Sequence, residues 1–122
     1  MTRQPLTWNQ VNPEMEQCIN NCLNCYSICL NTMTYCLQKG GVYAEPAYVT
    51  LMLDCAEICK TCADFMLRAS DLYTHICAIS AVICDRCAQE CEKMNDDPRM
   101  KACAQMCRHC AKSCRQVALE MA

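Results

Sequence analysis

The residues of this chain with chemistry to offer are its sixteen cysteines. They fall in four groups: Cys18, Cys22, Cys25, Cys29 and Cys36; Cys55, Cys59 and Cys62; Cys77, Cys84, Cys87 and Cys91; and Cys103, Cys107, Cys110 and Cys114. Gaps within a group are three, four or seven residues, the a/d spacing of a heptad, so each group runs along one stripe of an α-helix. Six pairs are C-x-x-x-C: Cys18/Cys22, Cys25/Cys29, Cys55/Cys59, Cys87/Cys91, Cys103/Cys107 and Cys110/Cys114. Two thiolates one helical turn apart direct both sulfurs toward a common axis. That arrangement suits a near-linear, two-coordinate soft ion, with a third sulfur from a neighbouring helix.

The breakers in the sequence divide the chain into a leader over residues 1–12 and one domain over 13–122 built of four long segments. Asn12-Pro13 offers an N-cap followed by proline at the first helical position, and Gly40-Gly41 terminates that segment. Pro46 opens a second segment, Ser70-Asp71 caps the start of a third, and Asp97-Pro98 starts a fourth. Short connections between long helices favour antiparallel neighbours. The expected fold is therefore all-α, an up-down-up-down four-helix bundle whose core is lined by cysteine.

Extending each heptad shows what else shares the seam. Met15, Met52, Met66, Met94, Met100 and Met121 occupy it, with Thr32, Tyr48, Ala69, Tyr73, Ser80 and Val117. No seam position is charged, and none is Leu or Ile, although both are plentiful elsewhere in the same segments. A cysteine is a small hydrophobe and packs well when buried. A whole seam of them, however, forfeits apolar area that Leu would supply at roughly 25 cal/mol per Å². Packing alone is a poor reason for this pattern.

Several chemistries compete for it. Disulfides within a helix are disfavoured, because bridged β-carbons sit about 3.8 Å apart, closer than one helical turn brings them. Zinc takes four ligands, commonly on short spacers in loops, and a zinc–tetrathiolate unit keeps two negative charges that no seam residue offsets. The C-x₃-C-x₂-C runs resemble an iron–sulfur spacing, but any a/d cysteine seam generates them, and the ferredoxin spacing is absent. No Glu-x-x-His occurs, so a di-iron carboxylate bundle is excluded. Monovalent copper at about one ion per thiolate leaves a neutral core, which burial demands. The charge argument favours Cu(I).

The rest of the chain narrows the function further. Net charge is −2 without a Lys/Arg run, so neither nucleic acid nor an anionic membrane is an expected partner. The longest apolar run is too short for a membrane span, and the first residues lack the apolar stretch of a signal peptide. With thiols kept reduced, the expected location is the cytoplasm. His75 and His109 fall at outward heptad positions, and no nucleophile–base pair or phosphate loop is present, so an enzyme is not expected. Met15, Met66 and Met121 mark one end of the bundle. Met52, Met94 and Met100 mark the other, near Cys36 and Met33, and are expected to pass Cu(I) inward. Leu23, Leu30 and Leu37, with Ile79 and Val82, form apolar outer stripes that suggest a subunit interface.

Repeated C-x-x-x-C on four helices, ending in Cys103-Ala-Gln-Met-Cys-Arg-His-Cys-Ala-Lys-Ser-Cys114, resembles the bacterial copper storage proteins over about residues 13–120. The resemblance implies a homotetramer of bundles, each lined by thiolates that hold many Cu(I) ions. That family has exported members with a Tat signal and cytosolic members without one; this chain looks like the cytosolic kind. Family members often place a His with Met residues at the bundle mouth, where Met94 and Met100 stand here. The expected function is cytoplasmic Cu(I) storage. Each C-x-x-x-C pair would form a bis-thiolate site, and Cys36, Cys62, Cys77 and Cys84 would complete the cluster. Loading and unloading would involve a copper donor or acceptor protein or a small thiol. A zinc or general soft-metal buffer and an iron–sulfur electron-transfer protein are the alternatives.

Overall fold

A computed structural model describes residues 12–120. The leader, apart from Asn12, and Met121 lie outside the described residues. Four α-helices follow in order: α1 (Pro13–Lys39), α2 (Pro46–Leu67), α3 (Tyr73–Glu92) and α4 (Pro98–Glu120). Each helix packs against two neighbours: α1 lies between α2 and α4, and α3 also touches both of them. Among the described residues the diagonal helices make no close backbone approach and meet only through side chains on the axis, as Cys55 and Cys59 of α2 do with Cys107 and Cys110 of α4. This is the square antiparallel bundle expected from the short connections.

The start and stop signals act as the sequence indicates, with one exception. Asn12 accepts the Met15 N–H at 2.9 Å, and Pro13 opens α1. Gly40 and Gly41 both take positive φ, 73° and 60°, so the chain's only glycines serve the one turn that needs them. A short 3₁₀ turn over Gly41–Ala44 then leads to α2. The third helix corrects an expectation. It begins at Tyr73 rather than at Ser70-Asp71, and its N-cap, Leu72, offers no side-chain acceptor. Ser70 receives the Leu72 N–H instead, at 3.2 Å, because the preceding residues complete the end of α2. There Ala69 adopts φ 54°, and the Ser70 and Ala69 N–H groups return to the Phe65 and Met66 carbonyls, closing a Schellman-type terminus. The seam positions Ala69 and Met94 therefore lie in turns, not on helices, though both remain buried.

Every described seam residue is buried. The ordinary packing is displaced to the two flanks. One heptad position past the seam stand Ala56 and Ala63 on α2, Ala81 and Ala88 on α3, and Ala104 and Ala111 on α4, all buried. Alanines there let helix backbones approach closely, which short thiol side chains need if they are to meet across the axis. On the other flank Leu51, Ile58 and Phe65 of α2, Ile76 and Ile83 of α3, and Ile28 of α1 are partly buried against the core. The aliphatics withheld from the seam thus act as its walls.

One end of the bundle is tied by Asp97. Its Oδ1 accepts the Arg99 and Met100 N–H groups at 2.9 and 3.3 Å, capping α4. Its Oδ2 accepts the hydroxyls of Tyr35 and Tyr43 at 2.6 and 3.0 Å, with Lys39 Nζ 3.5 Å away. These hydrogen bonds, that from Tyr35 foremost, hold the Asp97 carboxyl well below the usual carboxylate range. Replacing Asp97 by Ala is expected to cost about 2 kcal/mol, since it removes a cap and leaves two phenols without their acceptor. Because the folded pKa is depressed, this contribution is present above the unfolded carboxyl value near pH 4 and is lost as pH falls through the folded value. Thermal unfolding between pH 7 and pH 2 checks it: the gap between wild type and Asp97→Ala should narrow with acid, and a constant gap refutes the assignment.

Candidate metal centre

All sixteen cysteines are free thiols and buried. None is more than 1% exposed, and they project from all four helices into one column. Their sulfurs lie close, and most of the short contacts cross between helices. Cys114 of α4 stands 3.7 Å from Cys18 and 3.6 Å from Cys22 of α1. Cys107 of α4 reaches Cys25 and Cys29 of α1, both at 3.8 Å, and Cys55 of α2 at 4.0 Å. Cys55 continues to Cys25 at 3.9 Å and to Cys84 of α3 at 3.7 Å. Cys59 meets Cys84 at 3.5 Å and Cys110 at 3.9 Å, while Cys110 meets Cys22 at 3.8 Å and Cys114 at 3.9 Å. This run of thiols links all four helices.

Three groups of sulfurs fall within 4.8 Å of one another: Cys25, Cys55, Cys59 and Cys84; Cys25, Cys29, Cys55 and Cys107; and Cys18, Cys22 and Cys114. Each mixes a C-x-x-x-C pair with thiols from other helices. The helical pair is thus one edge of a larger cluster. Cys25 and Cys55 belong to both four-sulfur groups, so these groups share an edge.

Toward the tied end, Cys36 lies 3.6 Å from the Met100 thioether, and Met52 and Met94 are buried there too. At the opposite end Cys62 and Cys77 approach to 3.4 Å, and Cys77 lies 3.9 Å from Met66. Sequence reasoning placed Met66 and Ser80 on the seam without giving either a part in the site. The fully buried Ser80 hydroxyl lies 3.6 Å from Cys114 and 4.0 Å from both Cys59 and Cys84. Its heptad position, the one polar interruption among the cysteines of α3, was the available signal. His75 and His109 are exposed on the outer surface.

The electrostatics are those of a crowded thiol network. Burial acts to raise the thiols of Cys84, Cys103, Cys107 and Cys110, and hydrogen bonds between sulfurs divide them into donors and acceptors. Cys103 is held at about 5, chiefly by hydrogen bonds from Cys107 and Cys29. Cys84 is brought to about 7, chiefly by Cys110 and Cys25. Their donors bear the opposite shift: Cys107 and Cys110 are pushed above the ordinary thiol range. Cys36 is pushed up to about 11, first by burial and then by the negative charges of Cys103 and Asp97. Among the described residues no Lys or Arg side chain is buried to balance a set of thiolates. A column of this kind ionises fully only when cations enter with a matching charge.

A family model described as "Csp: Copper storage protein" matches residues 11–119. An uncharacterised cysteine-rich protein of Bacillus subtilis, YhjQ, is 35% identical over 103 residues, covering 84% of this chain and 94% of its own. Among solved structures, the Nmul_A1745 protein of Nitrosospira multiformis aligns with a TM-score of 0.81 at 40% identity, over 87% of this chain and 95% of its own. The Cu(I)-bound copper storage protein BsCsp3 also aligns at a TM-score of 0.81, with 34% identity over 86% of this chain and 98% of its own. The sulfur-lined seam, the square bundle that closes on it and a family match along nearly the whole described chain agree: the chain belongs to the copper storage protein family.

Proposed function

We propose that this chain stores many Cu(I) ions in its bundle core, bound by the sixteen cysteines with Met52, Met94 and Met100 as thioether ligands near one end. The observation that carries this reading is the pair of four-sulfur groups sharing Cys25 and Cys55. Shared edges let bridging thiolates hold several ions side by side rather than one in isolation. Soft thiolates select Cu(I), and one positive charge per thiolate brings the buried column to neutrality. The Cu(I)-bound relative BsCsp3 supports the same cargo. Four clustered thiols also match a zinc site in number, but zinc would leave each such group two negative charges in excess, with no buried Lys or Arg among the described residues to meet them.

The store is cytoplasmic in this reading, consistent with sixteen free thiols. Among the described residues no helix is long and apolar enough to cross a membrane. The protein works as a homotetramer: Leu37, Ile79 and Val82 remain 53%, 44% and 52% exposed on outer faces, the apolar surface a subunit contact would cover. Copper enters at the end with Met52, Met94 and Met100, where Met94 sits in a turn and Met100 adjoins Cys36. A donor or acceptor protein, or a small thiol, exchanges ions there.

Anaerobic titration of the reduced protein with Cu(I), against a competing chelator, tests the reading. Saturation is expected at about one ion per thiolate, as neutrality requires. Saturation after only a few ions, a tighter stoichiometric uptake of zinc, or an iron–sulfur chromophore in the protein as isolated would each overturn it.

A further inference from the structure

At the end of the core away from Met100, a second methionine is set against a thiol. The Cys77 S–H is directed at the Met66 sulfur, 3.9 Å away. The same Cys77 sulfur lies 3.4 Å from Cys62. Met66, Cys62 and Cys77 are all 0% exposed. The opposite end repeats the pairing on other helices: Cys36 of α1 stands 3.6 Å from the Met100 thioether of α4. A methionine that merely fills space has three rotatable bonds and no need to present its sulfur to a thiol. Met15, buried at the same end as Met66, is fixed instead through its backbone N–H on Asn12.

We propose that Met66 and Cys77 form a thiolate–thioether Cu(I) site at this end of the core, beside Cys62. The proposal rests on the Cu(I)-storage reading and assigns Met66 a ligand's part. Charge makes the pairing self-consistent: one Cu(I), one thiolate and one neutral thioether sum to zero, as a dry site requires. On binding, the Cys77 S–H bond breaks and its proton passes to solvent. A Cys77 sulfur–copper bond forms, the Met66 sulfur donates a lone pair, and the copper stays monovalent throughout. Cys62, 3.4 Å from the Cys77 sulfur, binds a neighbouring ion of the store. A thioether is a weaker ligand than a thiolate, so this site fills late and empties early relative to the four-sulfur groups.

The test compares wild type, Met66→Leu and Met15→Leu in anaerobic Cu(I) competition titrations. Leucine conserves volume well enough to keep the bundle intact, and circular dichroism checks that it does. Met66→Leu is expected to weaken about one equivalent by roughly tenfold or more, leaving the remaining equivalents unchanged, while Met15→Leu follows wild type. A Met66→Leu curve superimposed on wild type overturns the proposal. Should Met66→Leu fail to fold, selenium-edge absorption decides, using copper-loaded selenomethionine protein in which Met15, Met33, Met52, Met94, Met100, Met106 and Met121 are each replaced by leucine, so that among the internal methionines Met66 alone carries selenium. Selenium–copper scattering there supports the Met66 site, and its absence overturns it. A wild-type chain that takes up only a few ions would instead sink the storage reading, which keeps the two failures distinct.

Discussion

Replacing Cys25 and Cys55 together by alanine is expected to lower Cu(I) capacity by more than the two thiolates removed. These residues belong to both four-sulfur groups, and each also contacts Cys107, at 3.8 and 4.0 Å. Without them the central cluster splits. Cys59 and Cys84 remain a pair at 3.5 Å, and Cys29 and Cys107 remain a pair at 3.8 Å, with no bridging sulfur between them. Residues that act through one network are not additive. The fitting comparison is Cys87→Ala/Cys91→Ala, which also removes two buried thiols but from one helix and outside all three close groups. The Cys25/Cys55 variant is expected to lose roughly twice as many equivalents as that control. Each truncation should cost the apo fold only about 1 kcal/mol, the scale of deleting a small buried group. Anaerobic titration of both variants measures the difference, and equal losses of one ion per deleted thiol would show that the ions bind independently.

Loading the core with Cu(I) is expected to raise the unfolding midpoint by about 15–30 °C. A ligand held by the native state alone stabilises it by about 4 kcal/mol at a thousandfold excess over its dissociation constant. In a domain of this size each kcal/mol moves the midpoint by several degrees. Here the ions would also cross-link helices, since the close sulfur groups draw on α1, α2, α3 and α4. The apo bundle is expected to fold without metal, because neutral thiols pack as small hydrophobes and the flanking alanines and aliphatics carry the ordinary burial. Calorimetry of apo and loaded protein under anaerobic conditions tests both statements. An unchanged midpoint on loading would place the copper outside the core, and a featureless apo transition would show that the metal is needed to fold.

The heptad spacing alone made most of the fold legible. A residue pattern of threes and fours admits one helical face, and Asn12-Pro13, Gly40-Gly41, Pro46 and Asp97-Pro98 bound the helices where they occur. The start of α3 was misplaced because Ser70 closes the turn after α2 rather than opening a helix, a choice made by the αL residue Ala69. The 3₁₀ turn over Gly41–Ala44 was not legible, and with it the seat of Tyr43 on Asp97. That cluster joins residues from three parts of the chain, and no local spacing announces it.

The chain by itself determined that sulfur fills the seam and that the seam is uncharged, because periodicity and residue type are local properties. Which sulfurs meet was decided only by the tertiary structure. C-x-x-x-C pairs suggested sites within one helix, yet most of the close approaches run between helices. The axial stagger of neighbouring helices, set by the turns and by the close packing their alanines allow, brings Cys25 beside Cys55 and Cys77 beside Met66. A heptad defines the face of a helix; it carries no information on which rung of the next helix that face will meet.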